Sequence, residues 1–251
     1  MSTNTAPGQT QPRAQRPRLD RRQVLETALA LVDAEGLQAL SMRRLGAALG
    51  IDAMAIYGYV HGKDALLDGL VELLWAETSA PAGASGPWTE RLRGFVRAIR
   101  ALFHRHPHAA PLLLRPNVLP ESVLTAFDRY LEMLRDAGFA EPRAAEILRT
   151  LVAYGIGYGV MELSCYSLTG LQEYDPLSQR ERLVRLGQLL PRGIAPRLTQ
   201  VAMTMCVECE PEADFEFGLD LLLQGLERFQ SGRDADQGAP AAREATTRGE
   251  D

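Results

Sequence analysis

The sequence predicts an all-α protein built as a small three-helix head joined to a larger helical body. Three observations carry that reading. Apolar residues recur at helical spacing from about residue 20 to 231, and no stretch alternates convincingly with a period of two. Two short helix-length segments flank Gly50-Ile51 just behind a longer first helix, the sequence form of a helix-turn-helix. Finally, Pro81, Gly83, Ser85, Gly86 and Pro87 break the pattern once, sharply enough to mark a domain boundary.

The elements follow in order. Residues 1–17, rich in Thr, Gln, Pro and Arg without periodicity, read as a disordered arm. The head covers 18–78. Its first helix opens at Asp20, an N-cap, and closes at Gly36, with Val24, Ala28, Leu31 and Leu25, Leu29, Val32 forming two adjoining apolar rows. Ser41 caps a short helix from Met42 to Leu49, stopped by Gly50, and Asp52 caps a third through about Tyr59. A fourth helix, about Asp64 to Thr78, carries Leu66, Leu70, Leu74 and Leu67, Val71 on two sides, as a helix joining two bodies should. The body covers 88–231, chopped between Pro107 and Pro120 by four prolines, and a polar tail fills 232–251.

Composition bounds the function. The 251 residues are 46% hydrophobic and 24% charged, the balance of a globular protein. The longest apolar run, Ala65 to Trp75, is interrupted by Asp68 and Glu72, so no membrane partner is expected, and residues 1–12 have no leader pattern. Three cysteines make no disulfide framework, which predicts a reducing, cytoplasmic location. The net charge is −5, yet Arg13 to Lys63 holds eight basic residues against five acidic ones. A basic head on an acidic body is the charge layout of a DNA-binding module attached to something else. The third helix strengthens this. Once Ile56 and Ile51 are assigned to the small core, the helix presents Ala53, Met54, Tyr57, Gly58 and Tyr59, an apolar and aromatic surface suited to a major groove.

The stretch from Asp20 to Leu74, including SMRRLGAALGIDAMAIYGYVHGKDALLDGL, resembles the DNA-binding domain of the TetR family of bacterial repressors. The resemblance rests on the Gly36 stop, Ser41 with Arg43, Leu45 to Gly50, Ile56-Tyr57, Val60, Lys63 and Leu66-Leu67. Arg115-Pro116, Leu134 to Phe139 and Ala153 to Glu162 are similar to the regulatory domain of tetracycline repressors. The resemblance implies a homodimer that binds a palindromic double-stranded DNA operator and releases it when a small-molecule effector occupies the body. It places Ser41, Met42, Arg43 and Arg44 at the DNA backbone, with Arg43 able to reach a guanine edge. It places Ala53, Met54, Tyr57, Gly58 and Tyr59 at the bases and Lys63 on a phosphate. Gly58 replaces a large aromatic and Ala53 a glutamine of tetracycline repressors, which predicts a different operator. Leu112-Leu113-Leu114 replaces the segment holding their magnesium-binding histidine, so no metal–tetracycline ligand is expected.

In the body, Phe103, His104, Leu113, Phe127, Tyr130, Tyr154, Tyr158 and Met161 are the candidate effector-pocket residues, in helices able to converge on an apolar cavity. Phe215, Leu219, Leu222, Leu226 and Phe229 follow spacings of 4, 3, 4 and 3. This is a seam of period 3.5, expected at a dimer interface with Leu148, Val152 and Gly155, where Gly218 and Gly225 would admit a partner backbone. Gly155-Ile156-Gly157-Tyr158-Gly159 follows no strand and is no phosphate loop; Gly155 and Gly159 instead predict close approach of another helix. No catalytic constellation stands in motif spacing, and no enzyme activity or cofactor is expected. The competing reading is a helical metal or redox sensor using Cys206, Cys209 and the His104, His106, His108 cluster.

Overall fold

The computed structural model describes residues 19–78, 86–115, 119–169, 196–197 and 211–237. The predicted N-terminal arm, most of the C-terminal tail and Cys206 and Cys209 lie outside the described residues. Among the described residues every regular element is helical: α1 Arg21–Glu35, α2 Met42–Leu49, α3 Ala53–Ile56, α4 Lys63–Thr78, α5 Trp88–Arg105, α6 Glu121–Asp136, α7 Glu141–Thr169 and α8 Pro211–Gln237. Short 3₁₀ turns lie at Leu37–Ala39 and Ala110–Leu114. No helix is long and apolar enough to cross a membrane among these residues.

The chain divides into two compact units between Leu70 and Val71, inside α4, and not at the glycine- and proline-rich break. In the first unit, α1 starts with a reciprocal capping box. Asp20 Oδ1 accepts from Gln23 N at 2.8 Å, and Gln23 Oε1 accepts from Asp20 N at 3.0 Å. Val24, Leu25, Ala28, Leu29 and Val32 face the core with Leu45 and Ile56, whereas Leu31, the sixth residue of the predicted two-row pattern, is only half-buried. Gly69 gives α4 its approach to α1, because a side chain there would run into Leu25.

In the second unit α5 is the central helix, lying mainly against α7, which in turn lies against α6. The predicted glycine pair explains the closeness. A β-carbon on Gly155 would stand 3.0 Å from Ile99 Cγ2, and one on Gly159 would fall on the ring of Phe103. Gly157, on the other face, meets nothing within 4 Å. One predicted end shifts: α8 runs to Gln237, beyond the end of the body expected at 231.

Candidate nucleic-acid interface and effector site

The head assembles its interface from local capping. Ser41 Oγ accepts from Arg44 N at 3.3 Å to start α2, and Asp52 Oδ1 accepts from Met54 N at 2.7 Å to start α3. Between them Gly50 turns the chain in the left-handed region, φ 67° and ψ 31°, where a β-carbon is disfavoured. Gly46 matters as much, although the sequence reading missed it. A β-carbon there would stand 2.9 Å from Ile51 O and 3.1 Å from Ala53 N, so only glycine lets the turn settle onto α2. A small residue four before the αL glycine was the available signal.

The α-helix of α3 is shorter than predicted. It ends at Ile56, and Tyr57, Gly58 and Tyr59 continue as tighter turns bonded three residues back, with Tyr59 N to Ile56 O at 2.8 Å. Ile56 is fully buried, which turns Met54 and Tyr57 outward, 74% and 44% exposed. Ala53 and Tyr59 are half-buried and Gly58 is exposed. Arg43 and Lys63 are exposed, and no carboxylate pairs with either among the described residues. Arg44, placed with them on sequence, is instead engaged by Glu35 of α1.

In the body the candidate pocket residues separate into two groups. Phe127 and Tyr130 of α6 join Trp75 and Phe95: Trp75 meets Phe127 edge-on at 5.6 Å, and Phe95 lies 4.5 Å from Tyr130. Among the described residues, buried Tyr130 Oη and Arg91 Nε meet no hydrogen-bond partner. Burial pushes the Tyr130 hydroxyl above its ordinary pKa, against the opposing charge of Arg91.

The second group lies between α5, α7 and α8. Tyr154 donates to Phe215 O at 2.7 Å and stacks on its ring, and Tyr158 meets that ring edge-on at 5.2 Å. Burial pushes the Tyr158 hydroxyl up to about 12. Phe103 is core, Leu113 is half-buried, and Met161 points outward at 52% exposure. These positions do not converge on one cavity. His104 Nε2 lies 2.8 Å from Glu162 Oε2, and Glu162 also accepts from Arg100. Arg93 and Arg97, on the same stripe of α5, bind Glu216 of α8 at 3.1 and 2.6 Å.

The histidine cluster does not act as one site. His104 faces Glu162, whereas His106 Nε2 lies 3.1 Å from Glu77 Oε1 at the end of α4. No group of three metal-ligating side chains is found among the described residues, and the metal or redox reading gains no support.

The predicted seam of α8 is rotated. Phe215 and Leu219 are wholly buried against their own subunit together with Leu223, and Leu148 of α7 is buried as well. Gly218 accommodates Tyr154 of the same chain, because a side chain there would meet its hydroxyl. Phe217 is 67% and Leu221 59% exposed, and a β-carbon on Gly225 would meet nothing within 4 Å; Phe229, 41% exposed, carries the Arg143 guanidinium 5.1 Å from its ring centre. Leu222, Leu226 and Phe229 edge a shallow groove of about 370 Å³ beside Ile147 and Leu151 of α7.

Residues 24–70 match the family described as bacterial regulatory proteins, tetR family, and residues 80–229 match the tetracyclin repressor-like C-terminal domain. The HTH-type transcriptional repressor DrrR1 of Streptomyces coeruleorubidus is 30% identical over 225 residues, covering 88% of this chain and 82% of its own. A crystal structure described as a "possible TetR family transcriptional regulator from Streptomyces coelicolor A3(2)" superposes with a TM-score of 0.69 at 31% identity, over 84% of this chain and 100% of that one. ActR from Streptomyces coelicolor, crystallised with actinorhodin, gives a TM-score of 0.69 at 25% identity, over 91% of this chain and 100% of that one. The local geometry of α2, α3 and their turn agrees with the match over residues 24–70, and with the second match over 80–229 the chain belongs to the TetR family of bacterial transcriptional regulators.

Proposed function

We propose that the protein is a one-component repressor that binds a palindromic operator as a homodimer and is released by a small hydrophobic effector. The observation that carries the DNA-binding part is the outward pair Met54 and Tyr57, locked in register by buried Ile56. Exposed Arg43 and Lys63 supply the basic rim that phosphates require. One short recognition helix covers too few base pairs for tight specific binding, so two heads must act together. The open face of α8, with Phe217, Leu221 and Gly225, and the groove beside α7 support pairing with a second copy.

The effector site is the aromatic cluster of Trp75, Phe95, Phe127 and Tyr130. A buried hydroxyl and a buried guanidinium N–H without acceptors are costly unless some state of the protein satisfies them, and an oxygen of a bound aromatic molecule would do so. That ActR is crystallised with actinorhodin supports a small-molecule effector for this chain. Trp75 belongs to α4, and Glu77, two residues on, holds Arg105 and His106 at the end of α5. A ligand that favours a different setting of these contacts would move α4 and with it the head, by its differential affinity for the two states.

Genome-wide mapping of bound DNA tests the reading, followed by gel-shift titration of the enriched site with molecules made or exported by the neighbouring genes. A single enriched palindrome, lost on adding one such molecule, is expected. No enriched sequence would refute operator binding.

A further inference from the structure

We infer that this repressor reads its operator in part through thymine methyl groups, with Met54 as the side chain that reads them. The inference rests on the operator-binding reading above. In the major groove, base pairs are told apart by hydrogen-bond donors and acceptors and by one apolar group, the C5 methyl of thymine. Helix α3 carries almost nothing for the first code. The exposed positions of α3 and of the turns after it are Met54, Ala55, Tyr57 and Gly58, with Ala53 and Tyr59 half-buried, and none of these carries an amide or guanidinium. The one carboxylate at its start, Asp52, is committed to capping Met54 N. Bidentate pairing with adenine or guanine is therefore closed to α3, and the hydrogen-bonding share falls to Arg43 on α2 and to the hydroxyls of Tyr57 and Tyr59.

Met54 has the geometry for the second code. It is the most exposed of the large apolar side chains described, at 74%, on a helix whose next-but-one residue, Ile56, is fully buried and prevents rotation. Gly46 holds the start of α3 against α2 from the other side. An unbranched thioether adapts to an irregular surface, so it can cover a methyl group in a groove whose width varies. The occupant is set by charge. The exposed pair lies in the same unit as exposed Arg43 and Lys63, which suits a polyanion and not an apolar protein surface.

The test starts from the full chain and an operator selected from random duplexes. Thymines are then replaced one at a time by deoxyuracil, which removes only the methyl group. Roughly fourfold weaker binding is expected at one position of each half-site, the worth of one buried methyl. Met54→Ala, which folds because the side chain is exposed, should bind the thymine and uracil operators equally at that position, whereas Tyr57→Phe should keep the difference. Wild-type protein that binds the fully uracil-substituted operator as tightly as the thymine one overturns the inference. So does Met54→Ala that keeps the preference. Failure to enrich any sequence would instead overturn operator binding itself.

Discussion

Arg100 of α5 grips Glu162 of α7 with two nitrogens, Nη2 2.9 Å from Oε1 and Nε 3.0 Å from Oε2, and both side chains are more than nine-tenths buried. His104 completes the carboxylate at 2.8 Å, and the guanidinium also lies 4.8 Å from the centre of the Phe215 ring. One residue thus ties α5 to α7 by charge and to α8 by a cation–π contact. Its remaining partner, Glu212 at the start of α8, is mostly exposed.

Glu162→Gln should destabilise the body by about 3 kcal/mol, because it leaves a buried guanidinium with only the mostly exposed Glu212 as counter-charge. Glu212→Gln, at a 69% exposed side chain, should cost less than about 1 kcal/mol. Thermal unfolding of the two variants checks this, and equal shifts would show that burial does not govern this network.

The same pair predicts acid sensitivity. Burial alone would raise the Glu162 pKa, but the hydrogen bonds from His104 and Arg100 outweigh it and hold the carboxyl below its ordinary value of 4.5. A depressed carboxylate pKa contributes stability that is present above the unfolded value and lost as pH falls through the folded one. The melting-temperature gap between wild type and Glu162→Gln should therefore be full at neutral pH and shrink below about pH 4.5. A gap that grew on acidification would reverse the sign of this coupling.

Tyr130→Phe should leave the body as stable or raise its stability by about 1 kcal/mol, since the hydroxyl it removes is buried without a partner. Once an effector is in hand, the same variant should respond to it less. A clear loss of stability on denaturant unfolding would mean that the hydroxyl is satisfied.

In the head, Arg43→Ala should weaken the selected operator by about 1–3 kcal/mol and relax preference at one base pair. Lys63→Ala should weaken all sequences alike and flatten the salt dependence. Titration of the operator and a scrambled duplex at several salt concentrations separates the two. Sequence-blind losses in both variants would remove Arg43 from the base edges.

Leu221→Arg should give a folded subunit that fails to dimerise and loses tight operator binding, because the side chain is 59% exposed on the open face of α8. Leu219→Arg, at a fully buried site, should instead unfold the body. Light scattering with circular dichroism reads both. A folded Leu221→Arg dimer would exclude this face from the interface.

The sequence by itself determined the head in detail. Asp20, Ser41, Asp52, Gly36 and Gly50 act on neighbours within one helical turn, so their roles are written in adjacent residues and agree with the observed caps. The Gly155 and Gly159 pair was legible for a similar reason: two missing side chains four apart on a helix leave a groove whatever fills it. What the tertiary structure decided lies between residues far apart in the chain. An apolar stripe on α8 shows that one face is covered, but not whether its own subunit covers it, and only the fold turns Phe215 and Leu219 inward and Phe217 and Leu221 outward. The basic stripe of Arg93, Arg97 and Arg100 reads as an ordinary solvated face until folding sets Glu216 and Glu162 against it, more than 60 residues away. The eight pocket residues were chosen by type alone, and type does not say which helices converge, so folding set Phe127 and Tyr130 in one cluster, Tyr154 and Tyr158 in another, and turned Met161 outward. Local hydrogen bonds are chosen by sequence neighbours; the partner of a helix face is chosen by which surfaces together exclude the most water.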